Sequence, residues 1–157
     1  MTMTKREVFE TVKAHLLTQG CKALGDRGCM YRGENGTKCA AGCLIADEHY
    51  QPSFEGGRVA RCDVENALLA SGVPVDALTL VECLQSVHDS YHPVNWPDEL
   101  SIVESNFFGA ARFHDAMFGW IEGTVVERSC ERAVLLDARG TRWAWLAALD
   151  GTLEVVS

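Results

Sequence analysis

The stretch CMYRGENGTKCAAGCLIADEHY, residues 29–50, places three cysteines and two glycine turns beside an apolar run. The Asn35-Gly36 pair tolerates the positive φ of a tight turn, and short extended segments flank it. This pattern predicts an N-terminal hairpin within residues 29–45. Residues 40–45 are small or apolar, which predicts a buried segment, and Gly42 would let another backbone approach closely.

Upstream of this stretch, the sequence predicts an amphipathic helix. Thr4 and Glu7 have the spacing of a capping box, in which each side chain accepts a hydrogen bond from the backbone N–H of the other residue. Apolar residues then recur at helical spacing, and Gly20 supplies a stop. The predicted apolar stripe consists of Val8, Phe9, Val12, Leu16 and Leu17.

Downstream, the sequence predicts three more helices and then strands. The helices are expected at residues 59–70, after a cap at Asp76, and from Asp98 to about Phe118. The second of them should carry Leu80, Val81, Leu84, Val87 and Tyr91 near one face. From Gly119 the apolar period changes from 3.6 to 2. The predicted strands are residues 124–126, 132–136, 141–149 and 152–156, with turns at 138–140 and 150–151.

Together these elements predict an α+β fold. It has a helical body of about four helices, an N-terminal hairpin and a C-terminal antiparallel β-meander, for which an SH3-like form is one option. The predicted domains are residues 1–118, mainly helical with the hairpin at 29–45, and residues 119–157, a small meander. A meander of that size is expected to pack on the helices, because it is too small to be stable by itself.

The charge of the chain is unevenly distributed. Residues 63–118 contain nine acidic residues and one basic residue, Arg112, so the net charge of −8 lies in this segment. Such a field repels nucleic-acid phosphates and attracts basic partners, so it disfavours direct DNA or RNA binding. Three of these acids, Asp98, Glu99 and Glu104, are candidate partner-binding residues, and a merely solvated face is the alternative.

The apolar residues and the cysteines predict the compartment. No apolar run reaches 18 residues, and the first residues lead into a charged helix, so we expect no membrane segment, no signal peptide and a cytoplasmic location. The seven cysteines are an odd number without a regular framework, which favours reduced thiols over disulfides. Trp143 and Trp145 alternate on one predicted strand and so share a face, where they either fill an interface with the helices or anchor a partner.

Cysteines and histidines offer candidate chemistry. Cys39 and Cys43, with His88 and His92, form two pairs at i,i+4 spacing that could together hold zinc. In another hypothesis, one of the two thiols has a lowered pKa at the start of a helical turn and uses His88 or His114 as a base. Buried thiols and capping histidines are the structural alternative. From the sequence we assign no catalytic residue, no metal and no cofactor.

Arg32 and Lys38 are candidate ligand-binding residues. With Tyr31 they could form a small pocket for an anion on the hairpin. Alternatively, Arg32 forms a structural ion pair, which contributes little when exposed. The candidate acidic partners of Arg32 are Glu34, Asp47 and Glu48.

The stretch also fits the signature Cys-x-Tyr-Arg-Gly-x-Asn-Gly-x-Lys-Cys-Ala-x-Gly-Cys-Leu-Ile-x-Asp-Glu-x-Tyr, with Glu55-Gly56 just beyond it. In these residues, the chain resembles an uncharacterised family of small phage and bacterial proteins. The resemblance covers about the N-terminal third of the chain. It implies a phage or prophage setting and no particular activity.

These observations favour a non-catalytic binding protein. Within a phage setting, the concrete form is an inhibitor of a host defence system, such as an anti-CRISPR protein. Its acidic face would contact a basic, nucleic-acid-handling host protein. The alternatives are a thiol- or zinc-dependent enzyme centred on Cys39, Cys43 and His88, and a small-molecule or nucleotide binder that uses Arg32 and Lys38.

Overall fold

The computed structural model describes residues 2–26, 28–115, 119–128, 132–139, 141–146 and 154–156. These residues form four α-helices and two antiparallel sheets, which confirms the predicted α+β class. The helices are α1 (Lys5–Gln19), α2 (Cys62–Ala70), α3 (Leu78–Ser90) and α4 (Trp96–Phe108). The strands are β1 (Leu24–Gly25), β2 (Gly28–Cys29), β3 (Ala110–Asp115), β4 (Gly119–Arg128), β5 (Arg132–Leu136), β6 (Arg142–Leu146) and β7 (Glu154–Val156).

The chain contacts group into two compact units, Met1–Leu100 and Ser101–Ser157. The boundary between the units falls inside α4, so it does not mark a linker. The division into domains 1–118 and 119–157 therefore stays a prediction. No helix in the described part of the chain has both the length and the apolar composition needed to cross a lipid bilayer.

Helix α1 begins and ends as predicted. The backbone N–H of Thr4 donates to the Glu7 carboxylate at 2.6 Å, and Glu7 N–H donates to the Thr4 hydroxyl at 3.2 Å, which completes the capping box. Gly20 ends the helix at φ 65°, a left-handed conformation that glycine adopts without a steric cost. The predicted stripe is buried except for Leu17, whose side chain is 43% exposed, so that part of the prediction is wrong.

The predicted hairpin is present but short. Arg32 and Lys38 form an isolated antiparallel bridge. The turn between them has Asn35 at φ 56° and Gly36 at φ 75°, the positive φ values that the Asn-Gly pair predicts. Residues 40–44 form turns instead of extending a strand. A two-residue pairing of β1 with β2 precedes the hairpin, and the sequence did not predict it.

The segment of residues 40–45 is buried, as predicted. Ala40, Ala41, Leu44 and Ile45 are at most 6% exposed. A Cβ placed on Gly42 would collide with the carbonyl oxygen of Tyr31, so the close backbone approach predicted at this glycine is confirmed. This contact fixes the segment against the first half of the hairpin.

Two helix boundaries differ from the sequence prediction. Helix α2 starts at Cys62, three residues later than predicted, since residues 59–61 form turns and a bend. Asp76 does not cap α3: it lies within a 3₁₀ turn, Val75–Ala77, and the N-cap residue is Ala77, without a side-chain hydrogen bond. The predicted apolar face of α3 is buried apart from Tyr91, which follows the helix and is 39% exposed.

The last helix is shorter than predicted. Helix α4 ends at Phe108, and residues 110–115 form β3 where the prediction continued the helix to about Phe118. Strand β3 pairs with β4 over six residue pairs and with β7 over three. These long-range backbone pairs outweigh the helical spacing of the apolar residues, because local periodicity is only a weak guide to tertiary pairing.

The strands of the second unit form one five-stranded antiparallel sheet, ordered β6-β5-β4-β3-β7. Strand β5 has the predicted bounds, and a register shift between Val125 and Glu127 interrupts the β4–β5 pairing. Val134 and Leu135 are buried. The predicted turn at 150–151, and Gly140 in the other predicted turn, lie outside the described residues. The SH3-like form stays a prediction.

Candidate functional site

The polar groups of the first unit concentrate at the C-terminal end of α3. His88 is fully buried, and its ring stacks on that of Trp96 with 5.6 Å between the ring centroids. The backbone N–H of Ala23 donates to His88 Nε2 at 2.9 Å, and His88 Nδ1 lies 2.7 Å from Asp89 Oδ1. The histidine thus connects α3 to the loop that follows α1.

These contacts determine the tautomer of His88. Because Nε2 accepts a hydrogen bond, it carries a lone pair and no proton. The proton of the neutral ring is therefore on Nδ1, where it is donated to Asp89. Both ring nitrogens are occupied by hydrogen bonds within the fold, so in this arrangement His88 has no free nitrogen with which to act as a base.

The carboxylate of Asp89 accepts several hydrogen bonds from neutral donors. Its Oδ1 also accepts from Gln85 Nε2 at 2.8 Å, and the Cys29 thiol bonds to the same carboxylate. Burial alone would raise the pKa of Asp89, but the hydrogen bonds from His88, Gln85 and Cys29 outweigh it and lower the pKa. Burial and the Asp89 charge together raise the pKa of Cys29, so this residue is a thiol at neutral pH.

Cys29, His88 and Asp89 are also the one group of potential metal ligands in the described residues, with ligand atoms within 4.8 Å of one another. The tautomer of His88 disfavours a metal here. Binding a metal through Nδ1 would move the ring proton to Nε2, where it would face the N–H of Ala23. The three residues therefore fit a structural hydrogen-bond cluster better than a metal centre.

The predicted thiol site is contradicted by its electrostatics. Burial raises the pKa of Cys39 to about 12 and that of Cys43 to about 12, so the expected lowering of a thiol pKa is wrong. The Cys39 Sγ accepts from Gly42 N–H at 3.3 Å, and the Cys43 thiol donates to the Ala40 carbonyl at 3.1 Å. In both cysteines the sulfur bonds to the backbone of the local turn, and the raised pKa favours the thiol over the thiolate.

The structure does not gather the predicted zinc ligands either. In the described part of the chain, Cys39, Cys43 and His92 do not belong to any cluster of metal-ligand atoms with His88. His92 is an exposed residue that caps the 3₁₀ turn Pro93–Asn95 by accepting from Val94 N–H at 3.3 Å. The side chain of His114, the other candidate base, lies outside the described residues.

Arg32 and Lys38 both face Asp47. Arg32 Nη1 lies 2.6 Å from Asp47 Oδ1, and Lys38 Nζ lies 3.5 Å from the same oxygen. The Arg32 guanidinium also covers the ring of Tyr50 at 4.2 Å and donates to the Ile45 carbonyl at 3.0 Å. These contacts match the structural ion pair that the sequence offered as the alternative to an anion pocket.

Glu55 completes this arrangement. Its carboxylate accepts from the backbone N–H groups of Tyr31 and Arg32 at 2.8 and 3.0 Å. The Tyr50 hydroxyl donates to it at 2.7 Å, and burial together with this carboxylate raises the pKa of Tyr50 to about 12. Successive N–H groups commonly bind anions, and here a carboxylate of the chain itself fills that position.

An open cleft of about 630 Å³ lies beside the α3 cluster. Its floor is formed by residues 29–31 and one wall by residues 57–60. The other wall is the solvent-facing side of α3. The α3 residues that line it are Glu82, Gln85, Ser86, Asp89 and Ser90.

The predicted partner-binding residues lie in both units. In the first turn of α4, Asp98 is exposed and Glu99 is partly exposed, and neither forms an ion pair within the described residues. Glu104 lies further along the same helix. Trp143 lies on β6, and its indole N–H donates to the Asp137 carboxylate at 2.9 Å. The side chain of Trp145 lies outside the described residues.

Comparisons of this chain with models of protein families, with curated proteins and with solved structures gave no match.

Sequence reasoning missed the roles of Cys29, Gln85 and Glu55. Glu55 stands just beyond the signature, so its place in the motif was a usable signal. Asp89 adjoins His88, and Gln85 lies one helical turn earlier, which puts it on the same side of α3. The 59-residue separation between Cys29 and His88 leaves no local pattern that could have joined them.

Proposed function

We propose that this protein is a non-catalytic binding protein that contacts a basic partner protein through carboxylates of its acidic segment. The phage setting implied by the signature makes the partner a nucleic-acid-handling host protein. The protein then acts as an inhibitor of host defence, of the anti-CRISPR kind, in the cytoplasm.

One observation carries the proposal. Glu82, Asp98 and Glu99 are at least partly exposed, and none of them forms an ion pair with a lysine or arginine in the described part of the chain. Elsewhere in the segment, Asp63 is paired with Arg61. Uncompensated carboxylates steer a basic partner and oppose nucleic-acid phosphates.

Two observations favour the proposal over the thiol-enzyme alternative. A cysteine nucleophile needs a thiolate, and the pKa values of Cys39 and Cys43 are raised by burial. Of the two bases proposed for them, His88 already uses both ring nitrogens, and the side chain of His114 lies outside the described residues. For the ligand-binding alternative, Arg32 and Lys38 share Asp47, so one of their two positive charges is already compensated.

The test is a pull-down from bacterial lysate with the tagged protein at low and moderate salt, followed by native mass spectrometry of the eluate. We expect a stoichiometric protein partner whose association slows as salt rises, since added ions screen exposed charges. The decisive variant carries Asp98→Lys, Glu99→Lys and Glu104→Lys, and it should retain at most about a tenth of the bound partner.

The matched control carries Asp26→Lys, Glu34→Lys and Glu48→Lys, which changes the net charge equally but outside the acidic segment. Circular dichroism of both variants excludes unfolding as the cause of any loss. Equal losses in the two variants would show that only total charge matters, and retention of the partner by the α4 variant would contradict the proposal.

A further inference from the structure

The outer wall of α3 presents two carboxylates to the cleft. Residues 82, 85, 86 and 89 recur at helical spacing, so they lie on one side of the helix. Glu82 and Asp89 are seven positions apart, which corresponds to about 10 Å along the helix axis. The wall is therefore a strip with a negative charge at each end and the polar side chains of Gln85 and Ser86 between them.

Neither carboxylate has a cationic partner in the described residues. Asp89 accepts from Gln85 and Cys29, which are neutral, and from His88, whose ring is neutral when Nε2 accepts from the Ala23 N–H. The nearby ammonium of Lys22 donates to the backbone carbonyl of Asp89 at 2.7 Å and forms no ion pair with its carboxylate. Glu82 is exposed. A bound cation would therefore find uncompensated negative charge on this wall.

The rest of the cleft suits a long basic side chain. Met30, which is partly exposed, lines the cleft and can cover the methylene stem of an arginine or lysine while its head reaches a carboxylate. Arg58 also lines the cleft, so the lining has two carboxylates against one guanidinium and a net charge of −1. Carboxylates bind guanidinium groups through paired, charge-assisted hydrogen bonds.

We propose that this cleft receives the basic side chains of a partner segment, with Glu82 and Asp89 as the groups that bind them. The inference rests on the proposed function and names the chemistry that the partner presents: an extended segment with two arginines or lysines about 10 Å apart. In a polyproline II segment, which has three residues per turn, the side chains of residues i and i+3 lie on the same face and about 9 Å apart.

The probe is an acetylated and amidated tetrapeptide with arginine at both ends and two alanines between them. Its control replaces both arginines by citrulline, which keeps the shape and removes the charge. Titration is followed by amide chemical shifts of the full chain. We expect shifts at residues 29–31 and 82–90, and at least about tenfold weaker binding of the citrulline peptide.

The test variant is Glu82→Gln, because the Glu82 side chain makes no hydrogen bond in the described structure and the loss of its charge should not affect folding. It should weaken binding of the arginine peptide at least about threefold and leave binding of the citrulline peptide unchanged. Glu48→Gln, an exposed carboxylate outside both the cleft lining and the acidic segment, is the control and should change neither. Equal binding of the two peptides, or binding unaffected by Glu82→Gln, would overturn the inference.

This result is separable from that of the pull-down. A salt-sensitive protein partner together with no peptide shifts in the cleft would leave the proposed function standing and overturn the cleft. Arginine-specific shifts without any protein partner would do the reverse and leave the cleft as a site for basic peptides alone.

Discussion

The signature segment, residues 29–50, and the outer wall of α3 treat their polar groups in opposite ways. In the signature segment the charges and thiols bind to other parts of the same fold: Arg32 to Asp47, and Cys43 to the Ala40 carbonyl. On the wall of α3, Glu82 forms no ion pair in the described residues, although Arg58 lines the same cleft. Arg32 and Lys38 of the signature segment are thus paired within the fold, whereas Glu82 on the α3 wall is not.

The difference shows that the motif of the signature segment reflects the structural requirements of its backbone. Asn35 and Gly36 are required for positive φ, Gly42 for a close backbone contact, and Glu55 for two N–H groups that would otherwise lack an acceptor. Each requirement tolerates very few residue types, because the penalty for a wrong residue is steric or is an unsatisfied hydrogen bond. A surface that binds through charge needs only carboxylates at suitable spacing, so it produces almost no recognisable motif in the sequence.

The largest expected effect concerns thiol reactivity. In the native protein near neutral pH, Cys39 and Cys43 should react with iodoacetamide roughly a thousandfold more slowly than an ordinary thiol, because their pKa of about 12 leaves very little thiolate. Cys21 and Cys62 are exposed and serve as internal references. The measurement is peptide mass spectrometry over a time course. Rapid labelling of Cys39 or Cys43 would break the comparison and restore the thiol-enzyme hypothesis.

The next effect concerns the backbone contact inside the signature segment. Gly42→Ala should lower the free energy of unfolding by about 3 kcal/mol, because the added methyl group collides with the Tyr31 carbonyl. Gly20→Ala is the matched control: its Cβ would meet open space, so only the left-handed conformation costs energy, about 1 kcal/mol. Urea unfolding of both variants measures the difference. Equal losses would mean that the close approach does not constrain the fold.

The sequence predicted those parts of the fold that depend on local rules. The capping box at Thr4, the stop at Gly20 and the Asn35-Gly36 turn all follow from single residues and their immediate neighbours. The end of α4 and the strand at 110–115 depend on pairing with β4 and β7, which no local pattern contains.

The candidate site was predicted less completely than the fold. His88 was singled out for its spacing from His92, but its actual partners are Ala23, Asp89 and Trp96. Ala23 contributes through its backbone, so its residue type carries no signal. For Arg32 the sequence offered three acidic partners, and Asp47 is the one that it contacts. The sequence could not choose among them, because only the intervening turns bring side chains 15 positions apart together.

The smallest expected effect concerns Asp89, which links the two regions. Its carboxylate lines the cleft, and it also binds the His88 cluster, which includes Cys29 of the signature segment. Its pKa is lowered in the folded state, so its contribution to stability is complete above the unfolded pKa of about 4 and is lost as the pH falls through the folded value. Asp89→Asn should therefore cost less than about 1 kcal/mol near pH 6, because the side chain is 40% exposed, and the cost should shrink toward pH 2.

The companion variant is Glu82→Gln, which removes a carboxylate from the same wall without disturbing a hydrogen bond. Thermal unfolding of the wild type and both variants between pH 6 and pH 2 separates the two roles of Asp89: its hydrogen bonds to the His88 cluster and its charge on the cleft surface. If the cost of Asp89→Asn follows the pH while that of Glu82→Gln stays near zero, the hydrogen bonds beneath Asp89 stabilise its ionised form. If the stability loss of both variants depended on pH in the same way, Asp89 would act only as a surface charge. The carboxylates of the α3 wall would then contribute no stabilising hydrogen bonds.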